Sequence, residues 1–300
     1  MSEKIFSTNF SFLFLLIVCI FFDKLFTMPE LPEVETVRRY LEKNIVGEKA
    51  LKIQIKNKKL RYEIPKDLNK IITNTILTKI LRRGKYLIFL YKNNFAMLSH
   101  LGMTGYFRID KKIKKKKHDH FSIFFGENVL TYNDVRKFGF VKVYPEKNIE
   151  ICDHLKNLGP EPFSKDLNLD YIKKKIIKRK NIKNFLMNQN VIAGLGNIYC
   201  SEILYDAQIN PQRVSRDLKN EEIRKLIFSI KKILQSAIKM GGTTIKNFIV
   251  PDVKVGYFKN RLQVYGRLGK RCFRCGNEDV TIKKIVQSGR ASFFCEKCQL

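Results

Sequence analysis

A length of 300 residues suffices for about two domains, and a hydrophobic content of 44% excludes a chain too polar to bury a core. The 58 Lys and Arg against 28 Asp and Glu leave a net charge of +30. That excess points to a polyanion or an anionic membrane surface as partner and, before any motif is read, favours nucleic acid.

The first 27 residues read differently from the rest. Phe10 to Phe22 is a nearly unbroken apolar run of 13 residues, short of the roughly 20 that cross a bilayer. It is long enough for a signal-peptide core, yet only Lys4 precedes it and no small-x-small cleavage site follows. Three readings stay open: a translated upstream region, a degenerate targeting segment, or a membrane anchor. The first asks least of the sequence.

From Met28 onward the stretch TMPELPEVE leads into Val34, Val37, Leu41 and Ile45, apolar residues spaced for one helical face, with Gly47 as a stop. Short runs rich in β-branched and aromatic residues follow at 51–55, 85–91, 95–101, 121–125, 129–132 and 138–144, separated by turns such as Asn93-Asn94 and Gly126-Glu127-Asn128. Such runs predict a β-sandwich or barrel. The Lys-rich tract 111–117 reads most simply as a solvated loop, with phosphate binding as the alternative.

Near LGPEP (158–162) the character changes. Residues 171–180 and 184–188 look helical, and 197–207 follow a glycine-rich turn. The clearest helix is 221–240, whose Ile223, Leu226, Ile230, Leu234 and Ala237 keep one face before Gly241-Gly242 ends it. The last unit, 263–300, carries four of the seven cysteines. The fold class is therefore α+β, with a β-rich half followed by a helical half and a small metal module.

Cys272-x2-Cys275 and Cys295-x2-Cys298, with 19 residues between the pairs, form the strongest single motif. Four thiolates close a tetrahedral shell with no open position, so the spacing predicts one structural zinc ion on a ribbon hairpin with strands at 280–286 and 291–294. This is not the dense, even spacing of a secreted disulfide framework, and a reducing compartment fits it better. Lys270, Arg271, Arg274, Lys283, Lys284 and Arg290 flank the hairpin, which is either a phosphate reader or a solvated ribbon. The turn Ala193-Gly194-Leu195-Gly196-Asn197 opens a helix whose free N–H groups suit a phosphate, a plain helix cap being the alternative. LGMTG (101–105) and DVRKFGF (134–140) set Met103, Arg136 and Phe138 at or beside turns, where they suit a wedge that fills the hole left by an extruded base.

These blocks, together with PELPEVETVRR, RRGKYL, HLGMTG, KHDHFS, GPEP, GLGNIY, GGTTI, GYF and LQVYGR, run in order along the chain. From Met28 onward the sequence resembles the bacterial formamidopyrimidine-DNA glycosylase family of oxidised-purine repair enzymes. The resemblance implies an N-terminal β-sandwich with a flanking helix, a helix-two-turn-helix region and a four-cysteine zinc-ribbon hairpin, with DNA in the cleft between the halves. The expected units are an extension at 1–27 outside the enzyme, a catalytic sandwich at 29–157, a DNA-binding helical domain with a lesion-recognition loop at 158–262, and the zinc hairpin at 263–300.

Carried over by position, the resemblance makes Pro29 the amine nucleophile, Glu30 the acid/base partner, Glu33 a stabiliser of that site, and Lys85 a holder of the phosphate near the extruded nucleotide. His100, His118, Lys137, Asn197 and Arg290 are implied as phosphate or positioning contacts. Lys183 and the 250–258 loop are implied to face the extruded base, and Met103, Arg136 and Phe138 to fill the vacated stack. The implied partner is double-stranded DNA carrying oxidised purines or abasic sites, acted on by a monomer with one zinc ion and no stable protein partner. The implied location is cytoplasmic, at the nucleoid, with membrane attachment through 10–22 as the less favoured alternative. Three departures bear on detail. Lys137 stands where the family commonly has a second Arg, which replaces a bidentate fork by a point charge. KNFLMNQ (183–189) lacks the usual Pro-Trp pair, and VPDVKVGYF (250–258) is rich in Lys and Val where Gly or Ser is common. Leu31 favours the oxidised-purine branch over the oxidised-pyrimidine branch, whose start typically carries Gly there.

Overall fold

The computed structural model describes residues 28–176, 179–243, 256–276 and 279–300. The 1–27 segment and residues 250–255 of the expected recognition loop lie outside the described residues. Helix α1 (Leu31–Ile45) begins directly after Glu30, with Pro32 in its first turn, a position where proline's missing N–H costs nothing. Val34, Val37, Leu41 and Ile45 face the sandwich core as their spacing predicts. Glu33 is buried too, where α1 meets the helical half of the chain, and Glu35 is buried against Arg38 and against Arg82 of the sandwich.

The sandwich comprises β1 (Ala50–Ile55), β2 (Leu77–Arg83), β3 (Tyr86–Tyr91), β4 (Phe95–His100), β5 (Tyr106–Asp110), β6 (Asp119–Phe125), β7 (Asn128–Asn133) and β8 (Phe140–Pro145). These form two four-stranded sheets, ordered β1-β6-β7-β5 and β2-β3-β4-β8, and every pairing is antiparallel. Phe107, Phe121, Ile123 and Tyr132 from one sheet meet Ile80, Leu87, Phe89 and Met97 from the other in a single core with α1. Strands β2 and β5 and a short helix, α2 (Leu68–Ile72), have no counterpart among the sequence expectations. In LTKILRR the charges break a period-2 alternation, whereas YFRID alternates but is only five residues long and carries charge at two of them. Arg82 and Arg108 are nevertheless held there, by buried carboxylates.

The second half holds α3 (Leu169–Lys175), α4 (Ile182–Met187), α5 (Asn197–Ala207) and α6 (Asn220–Lys239). The helix expected over 171–180 stops at Lys175; Asn181 instead caps α4, accepting from the Asn184 amide. A second core of Ile192, Leu195, Tyr199, Ile203, Leu226, Ile230 and Leu234 lies among these helices. The hairpin strands β9 (Lys283–Gln287) and β10 (Arg290–Phe294) close the chain. No helix among the described residues is long and apolar enough to cross a membrane.

An ionic clamp ties α1, the sandwich and the GPEP segment together. Arg82 donates to Glu35 at 3.1 Å and to Glu161 at 2.7 Å, while Arg83 donates to Glu161 at 3.0 Å and to the Leu158 and Gly159 carbonyls. The Gly84 amide completes the Glu161 carboxylate at 2.6 Å. The clamp fixes the turn that presents Lys85. Without Arg82, Glu35 keeps Arg38 and Arg39 and Glu161 keeps Arg83 and the Gly84 amide, so the loss is that of charge-assisted hydrogen bonds, about 1.5 to 3 kcal/mol. Arg82→Ala is therefore expected to lower unfolding free energy by about 2 kcal/mol in urea titrations, and an Arg82→Lys chain to recover only part of it, since one ammonium cannot reach both acids.

Candidate active site

Two carboxylates at the start of α1 are held by the far half of the chain. The Glu30 carboxylate caps α5: the Ile198 amide donates to Oε1 at 2.9 Å and the Tyr199 amide to Oε2 at 3.4 Å. Helix N-termini favour negative charge there. Two of the free amides that open α5, just after the GLGN turn, are thus occupied from within the protein, not left for a phosphate. Glu33 accepts from the Tyr199 hydroxyl at 2.7 Å, the Thr243 amide at 2.8 Å, the Thr243 hydroxyl at 3.1 Å and the Glu30 amide at 3.0 Å. Both acids rest on glycines. A Cβ on Gly196 would come within 2.3 Å of the Glu30 side chain, and one on Gly242 within 2.5 Å of Glu33 Oε1. Those contacts explain the glycines of GLGNIY and GGTTI more directly than turn propensity does.

Burial pushes the Glu30 carboxyl up to about 7; Lys85 opposes the shift, Glu33 reinforces it, and the two α5 amides pull back. Glu30 can therefore hold or release a proton near neutrality. Lys85 is pulled down by burial, against the attraction of Glu30 and Glu33, with Arg290 adding to the depression. Lys85, Arg290 and His100 line one cavity of about 470 Å³, which Met28 also borders. His100 accepts from the Gly102 amide at 3.0 Å, and burial pulls its imidazole down to about 4. At pH 7 it is neutral, so it offers a hydrogen bond rather than an ionic contact. Pro29 is half-buried between Met28 and Glu30.

A second cavity, of about 530 Å³, is lined by Met28, His100, Met103, Arg136 and Phe138. Two turns build it. Gly102 has φ +66°, and a Cβ there would sit 2.5 Å from the Gly139 amide, so the LGMTG and RKFGF backbones meet at their glycines. Asp134, fully buried, accepts from Thr104 Oγ1 at 2.5 Å and from the Arg136 and Gly139 amides at 3.2 and 2.8 Å. Phe138 stands outside β8, where a strand over 138–144 was expected; it is 44% exposed, and Arg136 lies 4.6 Å over its ring. The three residues expected to form a wedge, Met103, Arg136 and Phe138, thus line one cavity together. Lys137 is exposed and adopts a left-handed φ of +58°. His118, also left-handed, accepts the Asp134 amide at its carbonyl and so steadies the same loop.

Lys183, expected at an extruded base, is buried completely instead. Its Nζ donates to the Ala291 carbonyl at 2.7 Å and to Ser292 Oγ at 2.6 Å, and burial pulls it down to about 8. It ties α4 to the strand that starts at exposed Arg290. Asn197 lies at the start of α5, its Nδ2 3.5 Å from the Tyr265 hydroxyl. Glu202, buried on α5, accepts the amides of Gln263, Val264 and Tyr265, which locks the LQVYG segment in place and aims the hairpin. Arg274, one of the cations flanking the hairpin, packs over Tyr205 at 4.3 Å and donates to its carbonyl.

The sulfur atoms of Cys272, Cys275, Cys295 and Cys298 all lie within 4.8 Å of one another, with contacts of 3.9 and 3.6 Å. A tetrahedral thiolate shell at about 2.3 Å from its ion has edges of about 3.8 Å, so the four sulfurs fit a closed metal site. Sequence reasoning missed Tyr199, Thr243, Glu202, Asp134 and Arg61, the last lining both cavities. Tyr199 and Thr243 stand inside quoted blocks, but nothing local links them to Glu33, which lies 166 and 210 residues away.

Comparison with known proteins agrees with this geometry. The family model for the formamidopyrimidine-DNA glycosylase N-terminal domain matches residues 28–141, and that for the H2TH domain of the same enzymes matches 158–249. Formamidopyrimidine-DNA glycosylases of Rickettsia canadensis and Rickettsia bellii are 44% and 41% identical, each over 91% of this chain and 99% of its own length. Among solved structures, a Lactococcus lactis enzyme in complex with DNA containing an abasic site aligns with a TM-score of 0.83 at 40% identity, covering 90% of this chain and 99% of that one. The wild-type Lactococcus lactis enzyme with N7-benzyl-Fapy-dG DNA aligns equally well, with a TM-score of 0.83 at 41% identity and 90% coverage of this chain. With two family models spanning most of its length and close relatives covered almost end to end, this chain belongs to the formamidopyrimidine-DNA glycosylase family.

Proposed function

We propose that the protein removes oxidised purines, 8-oxoguanine and formamidopyrimidines, from double-stranded DNA and then cleaves the abasic strand. The observation that carries this is the placement of Glu30, Glu33 and Lys85 directly behind Pro29, in a cleft whose opposite rim bears Met103, Arg136 and Phe138. The Pro29 amine, once N-terminal, attacks C1′ of the damaged nucleoside. The electron pair of the C1′–N9 bond leaves with the base, and Glu30 protonates the ring oxygen so that the sugar opens to an iminium. Loss of a C2′ proton then expels the 3′ phosphate. A second elimination expels the 5′ phosphate, and water hydrolyses the iminium to regenerate the amine. Glu33, held by four donors, fixes the geometry of Glu30. Lys85 and Arg290, two cations in one cavity, take a phosphate; Asn197 and His118 position the strand from either side, and Lys137 adds a point charge. Met103, Arg136 and Phe138 enter the stack that the extruded base leaves.

The four cysteines fit zinc, one ion per chain, closed to substrate and structural in effect. Removing it with a chelator is expected to weaken duplex binding at least tenfold in a fluorescence titration, because Arg290 starts the strand that leads into Cys295, and added zinc is expected to restore binding. We place the working enzyme at 29–300, monomeric and cytoplasmic at the nucleoid, with residues 1–27 outside it. The direct test is borohydride reduction of a chain that begins at Pro29, mixed with duplex DNA bearing 8-oxoguanine. A covalent protein–DNA band with strand cleavage supports the reading, and its absence from a zinc-loaded, folded sample rejects it.

A further inference from the structure

Beyond the cleft, the sandwich carries a cationic turn that the mechanism does not use. Residues 111–117 join β5 to β6, and six of the seven are lysine. This turn is built rather than loosely tethered. Buried Asp119 accepts Arg108 Nη1 at 2.6 Å, Nη2 at 2.8 Å and the Lys116 amide at 2.8 Å. Arg108 also donates to the Lys114 carbonyl at 2.5 Å, and Asn133 to the Lys117 carbonyl at 2.8 Å. Asp119 is therefore satisfied by Arg108, Asn133, Lys56 and the Lys116 amide, and the lysine heads stay in solvent. Lys111 pairs with Glu127 and Lys114 with Asp110; no ion pair engages Lys115, Lys116 or Lys117 among the described residues.

Sheet register decides where this charge sits. Asn133 pairs with both Tyr106 and Asp119. The segment before β5, the segment before β6 and the segment after β7 thus all emerge at one end of the sheet. They carry, respectively, Met103, Lys115–Lys117 and Arg136–Phe138. The His118 carbonyl bonded to the Asp134 amide joins the lysine turn to the wedge loop directly.

We propose that Lys115, Lys116 and Lys117 form a second phosphate-contacting surface, which grips duplex DNA beside the wedge and outside the base-extrusion site. This rests on the reading of the cleft as a DNA site. Each phosphate neutralised contributes about 0.9 to the salt slope of binding, so three contacts contribute roughly 2.7. The test compares duplex affinity from 50 to 300 mM salt for the chain beginning at Pro29, for its Lys115→Gln/Lys116→Gln/Lys117→Gln variant, and for a control with Lys49→Gln, Lys70→Gln and Lys92→Gln at the other end of the sandwich. The expected result is a slope shallower by about 2 to 3 in the first variant and by less than about 0.5 in the control. Equal slopes in all three chains overturn the proposal, as does an equal loss in both variants. Binding of the parent to phosphatidylserine vesicles that the first variant loses, with its DNA slope unchanged, overturns it in favour of a membrane. Borohydride trapping of the parent reports on the cleft reading alone, so the two ideas fail separately.

Discussion

A chain whose first residue is Pro29 is expected to be trapped on abasic DNA by borohydride, and the same chain with Met28 still attached is expected to give no trapped band above background. Inside a chain, proline nitrogen is an amide whose lone pair is delocalised into the preceding carbonyl, and it cannot attack C1′. Terminal proline is a secondary amine that can. The structure adds a steric reason to the electronic one. Met28 borders both cavities and leaves Pro29 only half-buried behind it, so chain retained ahead of Pro29 occupies the space where the sugar must come. Duplex affinity tells these effects apart from misfolding: it is expected to fall little in the Met28 chain, because the wedge, Arg290 and the hairpin are untouched. Efficient trapping by the longer chain would remove Pro29 from the mechanism and require another amine, such as that of Lys85.

Glu30→Gln in the chain beginning at Pro29 is expected to slow base release by about 10²- to 10⁴-fold, the usual range for a lost general acid. The amide fits over Gly196 without a clash but offers only one oxygen for the two α5 amides, so a modest loss of stability accompanies it. Nicking of a preformed abasic site is expected to fall less, since its sugar already opens to an aldehyde without an acid. The pH profile carries the sign. Glu30 acts while protonated, and burial holds its carboxyl at about 7. Base release by the parent is expected to decline as pH rises through that value, tenfold per unit beyond it, and Gln at position 30 is expected to abolish this limb. An amine attacks only when unprotonated, so the acid-side limb is expected to belong to Pro29. For stability the direction is opposite to that of an ion-paired acid. A carboxyl raised in the folded state disfavours folding once ionised, so its penalty is absent below about 4.5 and complete above about 7.

Much of the fold is legible in the sequence because its signals are local. The 3.6 spacing of 221–240 becomes α6 within a residue at either end, and the paired CxxC motifs become a four-sulfur cluster. The expected strand 121–125 falls two residues short because Asp119 is polar, yet it is buried within β6. LTKILRR and YFRID escape a sequence reading for a related reason: their arginines suggest solvent, whereas carboxylates from other segments, Glu35 and Glu161 for Arg82 and Asp119 for Arg108, hold them in the sheet. The expected strand 138–144 begins two residues too early because Phe138 looks like core, whereas the Gly102–Gly139 approach turns it outward.

The sequence by itself determined the helix periods, the metal-binding quartet, the cationic surface and, through ordered motif blocks, the family. Each depends on residues a few positions apart or on composition, which survive without coordinates. Only the tertiary structure decided that the amides opening α5 are filled by Glu30, that Lys183 secures the hairpin from inside, and that the lysine turn emerges beside the Met103, Arg136 and Phe138 turns. Those facts pair groups separated by 16 to 169 residues. In a low-dielectric interior, a carboxylate is stable only where amides and hydroxyls converge on it, and that convergence is a property of the packed domains, not of any segment within them.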